Sequence, residues 1–307
     1  MKPTMSNTSV DVRVPGKINL VLRSSARRAD GYHELATVFQ AVDVYDELRA
    51  EPGAPGQFDV RVLGEQAHRV PAGPDNLAAK AARLLASTTP DPLGCSLTIR
   101  KTIPVGGGMA GGSADAAAAL VACAALWGLD VPAADLLRLG AELGADVPFC
   151  LFGGTALGRN RGDDLTPLPV HGTFHWVLAL SDHGLSTPAV FERFDELTPQ
   201  AGSATPMRAE LLDALASGDA AALGAELAND LADAALSLRP QLQATIAAGR
   251  AGGALGHVIS GSGPTVAFLA PDADAAAALA AHLADAGVAD AVRVATGPVA
   301  GAVIIER

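Results

Sequence analysis

The chain has 307 residues, more than one hydrophobic core usually organises, and at roughly 150 residues per domain it predicts two compact units with a cleft between them. A formal charge of −11 and an isoelectric point near 5.0 argue against a general nucleic-acid or membrane-surface binder, because such proteins gain affinity when a basic face displaces the counterions of phosphates. An anionic ligand must therefore be met locally, by backbone amides or a few placed cations.

Alanine inflates the 49% hydrophobic fraction and aromatics make up only 4%, so the core should rest on Leu, Val and Ile with close-packed Ala helices. Three widely spaced cysteines, Cys95, Cys123 and Cys150, fit reduced thiols better than a disulfide framework or a zinc site. The N-terminal stretch MKPTMSNTSVDVRV carries no apolar core of signal-peptide length. The longest apolar run, residues 116–127, is too short to span a bilayer. A cytoplasmic protein is expected.

In chain order, alternation over residues 10–14 predicts a strand, which Pro15-Gly16-Lys17 should interrupt before an apolar stretch at 18–22. Further strands are expected over 37–44 and 58–63, with Pro/Gly turns at 52–56 and 71–74. Asp75-Asn76 offers a cap for a helix over 77–86. A strand over 97–103 then runs into a glycine-rich stretch, PVGGGMAGGS, at 104–113. Helices over 114–127 and 133–143 should stop at Gly128 and Gly144. Residues 152–165 read as a hairpin, and the boundary between units is placed to give 1–166 and 167–307. Beyond it come a strand at 176–180, several Ala-rich helices, a strand at 257–259, a second glycine turn Ser260-Gly-Ser-Gly-Pro264, and strands at 266–268 and 303–305. Without a strict βα alternation the class is α+β rather than a doubly wound sheet.

A strand feeding a glycine turn that opens a helix aims several N–H groups and the positive end of the helix dipole at one point, which suits an anion. Gly106, Gly107, Gly108, Gly111 and Gly112 would let phosphate oxygens approach the backbone, and Ser113 adds a hydroxyl. A purely structural turn would use the same glycines. Gly106-x-Gly108-x-x-Gly111 also satisfies the dinucleotide pattern, with Asp130 downstream as a ribose partner, so an NAD-dependent dehydrogenase stays open on this run alone. A Walker A loop is excluded, because the only Gly-Lys pair, Gly16-Lys17, precedes Ile18.

Pro104 to Ala114 resembles the ATP-binding motif of the superfamily of galactokinase, homoserine kinase, mevalonate kinase and phosphomevalonate kinase, the GHMP kinases. Met stands for Leu and Gly for Ser, which leaves the Ser113 hydroxyl as the main side-chain donor. Val14-Pro-Gly-Lys-Ile-Asn-Leu20 and Ile259-Ser-Gly-Ser-Gly-Pro-Thr265 follow in that superfamily's order. Arg28-Ala-Asp-Gly-Tyr-His-Glu34 and Leu143-Gly-Ala-Asp-Val-Pro-Phe149 narrow the resemblance to its 4-diphosphocytidyl-2-C-methyl-D-erythritol kinase branch, in non-mevalonate isoprenoid synthesis. It covers the chain from about residue 12 to the last strand. It implies a two-domain α+β fold with the site in the interdomain cleft, and transfer from ATP, with Mg2+, to the 2-hydroxyl of a cytidine diphosphate conjugate. The partner implied is that small molecule, with no nucleic acid and no membrane, for a monomer or weak homodimer.

Taken alone, Asp146 could cap the turn before Pro148, and Lys17 could be a solvated strand-end lysine. The resemblance implies instead that Asp146 and Lys17 orient or activate the attacking hydroxyl, with Asn19 on the same side of the strand. It further implies that Tyr32 and Phe191 sandwich the cytosine while His33 bonds its edge, with Thr187 nearby. Phe191 by itself reads as core, and Asn76 as a helix cap. For the nucleotide, the resemblance places Asn76 and Lys101 near adenine, Lys101 through its backbone. Pro104, Gly106, Gly107, Gly108, Met109, Ala110, Gly111, Gly112, Ser113 and Ala114 would run along the triphosphate. Arg159 and Arg161 read as solvated hairpin charges within reach of a substrate diphosphate.

Overall fold

The computed structural model describes residues 9–29, 31–64, 66–199, 202–203 and 206–306. The first eight residues of the N-terminal stretch and Asp30 of the Asp-Gly-Tyr-His loop lie outside them. The first part of the chain comprises β1 (Val10–Arg27), β2 (His33–Pro52), β3 (Phe58–Leu63), α1 (Leu77–Ala86), β4 (Cys95–Arg100), α2 (Gly111–Leu126), α3 (Ala133–Leu143), α4 (Val147–Phe152), β5 (Thr155–Asn160) and β6 (Asp164–Pro167). The rest comprises β7 (Phe174–Leu180), α5 (Thr187–Leu197), α6 (Ala209–Ser217), α7 (Ala220–Glu226), β8 (Ala228–Asn229), α8 (Ala232–Leu238), α9 (Leu242–Ala251), β9 (Gly256–Ile259), β10 (Val266–Ala270), α10 (Ala273–Asp285), β11 (Ala291–Gly297) and β12 (Val303–Ile305).

The class is α+β, with two sheets. The larger runs β12-β1-β2-β4-β3, with β5 and β6 extending from β2 and β8 beside β1; the smaller runs β11-β7-β10-β9. β2 is long enough to hold two partners, β5 along residues 35–40 and β4 along 47–52. The last strand returns to the first, Ile304 opposite Val12, so residues from both ends of the chain complete the larger sheet.

Pro15-Gly16 does not end a strand as the sequence suggested. β1 runs through it, and the register against β2 shifts there, from Pro15 opposite Tyr45 to Gly16 opposite Val42. Such an irregularity re-aims the following side chains and leaves backbone groups unpaired. The N–H of Lys17 is used accordingly, donating to the Met109 carbonyl of the glycine run at 3.2 Å.

β4 stops at Arg100 rather than 103: the Lys101 N–H still reaches Leu63 O of β3 at 2.9 Å, but those of Thr102 and Ile103 turn to Asp46 Oδ1 at 2.5 and 2.9 Å instead of to a ladder. Helix α2 begins at Gly111, earlier than the run of alanines, after Ala110 in a left-handed conformation at φ 60°. Beyond its first turn it is mostly buried and is built largely of alanine, a strong helix former. β11 has no counterpart among the expected strands: its AVRVATG sequence is half-exposed and holds alanine and glycine, poor strand formers.

The main core lies between the larger sheet and α1 and α2 and reaches Trp176 and Leu178 of the smaller sheet. A polar relay joins the two sheets: Trp176 Nε1 donates to Gln40 Oε1 at 2.9 Å, and Gln40 Nε2 donates to Thr155 Oγ1 at 3.1 Å. All of these groups are buried, where an unpaired one would be costly.

Candidate active site

One cavity of about 920 Å³ is bounded by the bulged half of β1, the glycine run, the start of α4, the first turns of α5 and the Ser260–Pro264 turn. Its floor is the glycine run. The first N–H groups of a helix have no partner within it, and here those of α2 lie at the cavity, lined by Ala110, Gly111, Gly112 and Ser113. Pro104, Gly106, Gly107 and Gly108 extend the same wall. Gly108 is glycine of necessity: it sits at φ +79°, and a Cβ there would lie 2.1 Å from the Ser260 carbonyl. The C-terminal glycine turn clamps this loop through Ser260 Oγ, which donates to the Gly108 carbonyl at 2.9 Å, and Thr265 N, which donates to Gly107 O at 3.2 Å.

Lys17 reaches the cavity from just beyond the bulge. Its Nζ donates to Asn19 Oδ1 at 2.7 Å and faces Asp146 Oδ2 at 3.7 Å. Asn19 is held in turn: its Nδ2 donates to Thr37 Oγ1 at 2.8 Å, and Thr37 donates on to Val21 O at 2.7 Å. Fixing the amide this way leaves its oxygen aimed at the lysine. Asp146 occupies the cap position of α4, yet its side chain makes no capping hydrogen bond, and the capping role that its sequence context offered does not apply. Lys17 is nearly sealed while Asp146 is about one-third exposed, so the carboxylate remains open to a ligand.

The opposite wall is aromatic. His33 stacks on Phe191, ring centroids 4.7 Å apart at 28°, and meets Phe194 edge-on at 6.0 Å. His33 Nε2 lies 2.7 Å from Asp195 Oδ1. Tyr32 stands at the rim, 61% exposed. Thr187 lines the cavity too, its hydroxyl 2.8 Å from that of Ser262. Arg161 lies on the wall and pairs with Asp163, whereas Arg159 is not on it.

Four residues expected at the nucleotide do not line the cavity: Asn76, Lys101, Met109 and Ala114. Asn76 is buried and caps α1, its Oδ1 accepting from Ala78 N at 2.8 Å and its Nδ2 donating to Pro71 O at 2.7 Å. Met109 and Ala114 are buried in the core beneath the loop. Lys101 turns inward. Its Nζ donates to Asp115 Oδ2 at 2.8 Å, to Gly111 O at 3.1 Å and, by a short contact, to Asp46 Oδ2. Burial pushes the Asp115 carboxyl up to about 8 against the pull of the Lys101 charge. This ion cluster ties β2, β4 and α2 together under the glycine loop. Neither Asp46 nor Asp115 was singled out from the sequence, and both signals were weak: an Asp in a strand and an Asp in an Ala-rich helix.

A dinucleotide site is ruled out by the same geometry. β4 pairs antiparallel with β2 and parallel only with the edge strand β3, so no parallel strand follows α2 beside it, and Asp130 lies beyond the far end of α2, about 24 Å of helix away from the glycines at 1.5 Å per residue.

Sequence models of the GHMP kinases match two stretches of the chain, the N terminal domain over residues 76–154 and the C terminal over 211–289. The 4-diphosphocytidyl-2-C-methyl-D-erythritol kinase of Thermobifida fusca is 55% identical over 97% of this chain and 99% of its own. The crystal structure of a 4-(cytidine 5'-diphospho)-2C-methyl-D-erythritol kinase superposes with a TM-score of 0.76 at 34% identity, over 93% of this chain and 98% of that one. Homoserine kinase from Cytophaga hutchinsonii shares the fold, at a TM-score of 0.77 and 20% identity over 99% of this chain and 100% of that one. With that degree of identity along nearly the whole length, the chain belongs to the 4-diphosphocytidyl-2-C-methyl-D-erythritol kinase family of the GHMP kinases.

Proposed function

We propose that this enzyme transfers the γ-phosphoryl group of ATP to the 2-hydroxyl of 4-diphosphocytidyl-2-C-methyl-D-erythritol. The observation that carries it is the Lys17–Asp146 pair standing in one cavity, between an anion cradle and an aromatic wall. The triphosphate lies along residues 104–114, with Ser113 as side-chain donor and adenine toward the backbone near Asn76 and Lys101. Phosphoryl transfer is accelerated mainly by positioning and charge neutralisation. Asp146 accepts a hydrogen bond from the attacking hydroxyl and orients it, and the Lys17 ammonium faces the same oxygen and the transferred group. Phe191 and Tyr32 hold the cytosine ring by stacking.

The donor set suits Mg2+, which takes few protein ligands and keeps phosphate oxygens and waters: the Ser113 hydroxyl and the open Asp146 carboxylate both line the cavity. When bound, the ion neutralises charge on the phosphates. For the assembly we keep a monomer or weak homodimer. We divide the chain into units 1–166 and 167–307 facing each other across the cavity, and assign the enzyme to the cytoplasm.

The test is 31P NMR of the enzyme with MgATP and the cytidyl substrate. ADP and one new phosphomonoester resonance are expected. Phosphate passing to homoserine or mevalonate, and not to the cytidyl compound, would sink this assignment.

A further inference from the structure

His33 is held by a single face of α5. Phe191 and Asp195 are one helical turn apart, at positions i and i+4. The first stacks on the imidazole and the second binds Nε2 at 2.7 Å, while Phe194 closes the ring edge-on. The His33 side chain is only 7% exposed, and that of Asp195 28%. Rotating the ring by half a turn would replace Nε2 with carbon opposite the carboxylate, so stack and hydrogen bond together fix both its plane and its flip.

A carboxylate can only accept, so the proton it meets lies on Nε2, and the neutral imidazole then carries its lone pair on Nδ1. This matters for base recognition. Cytosine presents an amino donor at N4 where uracil presents a carbonyl acceptor, so an acceptor on the cavity wall suits cytosine and repels uracil.

We propose that Asp195 is a positioning residue that locks His33 as the Nε2–H tautomer, making Nδ1 the acceptor offered to the substrate base and so favouring cytosine over uracil. It rests on the reading above that a pyrimidine sits against Phe191 and His33. Asp195 itself touches no reacting atom. Its effect falls on which base binds rather than on the phosphoryl step, and the loss should appear in KM more than in kcat.

The experiment has two arms. First, 15N NMR of the His33 imidazole in the whole protein should show the proton on Nε2 in the wild type and a redistribution between the nitrogens in Asp195→Ala. Second, cytidine 5'-diphosphate and uridine 5'-diphosphate are titrated into protein whose ATP site is filled with adenylyl imidodiphosphate. Cytidine should bind at least about tenfold tighter, since a mismatched edge leaves polar groups unpaired. Asp195→Ala should erase most of that ratio. Asp195→Asn, whose amide oxygen can still accept from Nε2–H, should keep most of it. An unchanged ratio in a folded Asp195→Ala protein, or a proton on Nδ1 in the wild type, would overturn the proposal. Preference for cytidine without phosphate transfer in the 31P assay would instead refute the assigned reaction and leave the tautomer lock standing.

Discussion

Lys17 and Lys101 are both almost wholly buried amines, 4% and 7% exposed, and their surroundings give them opposite uses. An ammonium has three donors. Those of Lys101 meet the side-chain oxygens of Asp46 and Asp115 and a carbonyl, so nothing is left for a ligand, and the charge is spent on joining three elements beneath the glycine loop. Lys17 meets one amide oxygen at hydrogen-bond distance, and its carboxylate stands off at 3.7 Å. Donor capacity remains, and it points into the cavity. Burial alone therefore does not mark a lysine as functional; unsaturation toward a cavity does.

The comparison breaks most visibly if the two lysines are removed in turn. Lys17→Met should lower kcat by about 10²–10³-fold, the usual cost of losing one group that stabilises developing charge, with little change in the melting temperature; a coupled assay of ADP release checks it. Lys101→Met leaves the Asp46 carboxylate buried without its cation and takes a donor away from Asp115. It should cost about 3–5 kcal/mol of unfolding free energy in a urea titration, while molecules that stay folded keep most of their turnover. A result the other way round would reverse the roles.

Gly108→Ala tests the cradle that Lys101 supports. A side chain at φ +79° and 2.1 Å from Ser260 O must push the C-terminal turn away, and the KM for ATP should rise roughly tenfold, because small displacements of a binding loop are costly. Helix α1 should lose about 1 kcal/mol in Asn76→Ala, seen by thermal melting, with no loss of kcat.

A separate prediction concerns pH. In the folded chain the Asp115 carboxyl is raised from 3.8 to about 8, chiefly by burial, and its Oδ1 has no hydrogen-bond partner. Folding thus takes up a proton between these values. The stability this gives is complete below about pH 4 and is lost as pH rises through about 8. Asp115→Asn should flatten that slope in denaturant titrations run across the range, and an unchanged slope would mean that Asp115 is ionised beside Lys101.

Local signals carried much of the fold. The helices over 77–86 and 133–143 and the strand over 58–63 stand where capping, periodicity and turn residues put them, because each is decided within a few residues of its ends. Strand alternation put Asn19 on the side of Lys17, whereas Asp146 was brought to the pair only by the family resemblance. What stayed illegible was tertiary. The inward turn of Lys101 depends on acids 55 and 14 residues away, the clamp on Gly108 comes from a serine 152 residues on, and the partner of His33 is 162 residues distant. Pro15-Gly16 misled for a related reason. The pair looks like a strand end in isolation, but β2 follows it with a register shift, and that shift is what turns Lys17 toward the cavity.

The central claim is that Asp146, facing Lys17, orients the hydroxyl that attacks ATP. Rapid-quench single-turnover kinetics of Asp146→Asn, with MgATP and cytidyl substrate both saturating, tests it most directly. The transfer step should slow by about 10²–10⁴-fold while both ligands bind as in the wild type. A transfer rate within a few-fold of wild type in a folded variant would contradict the account.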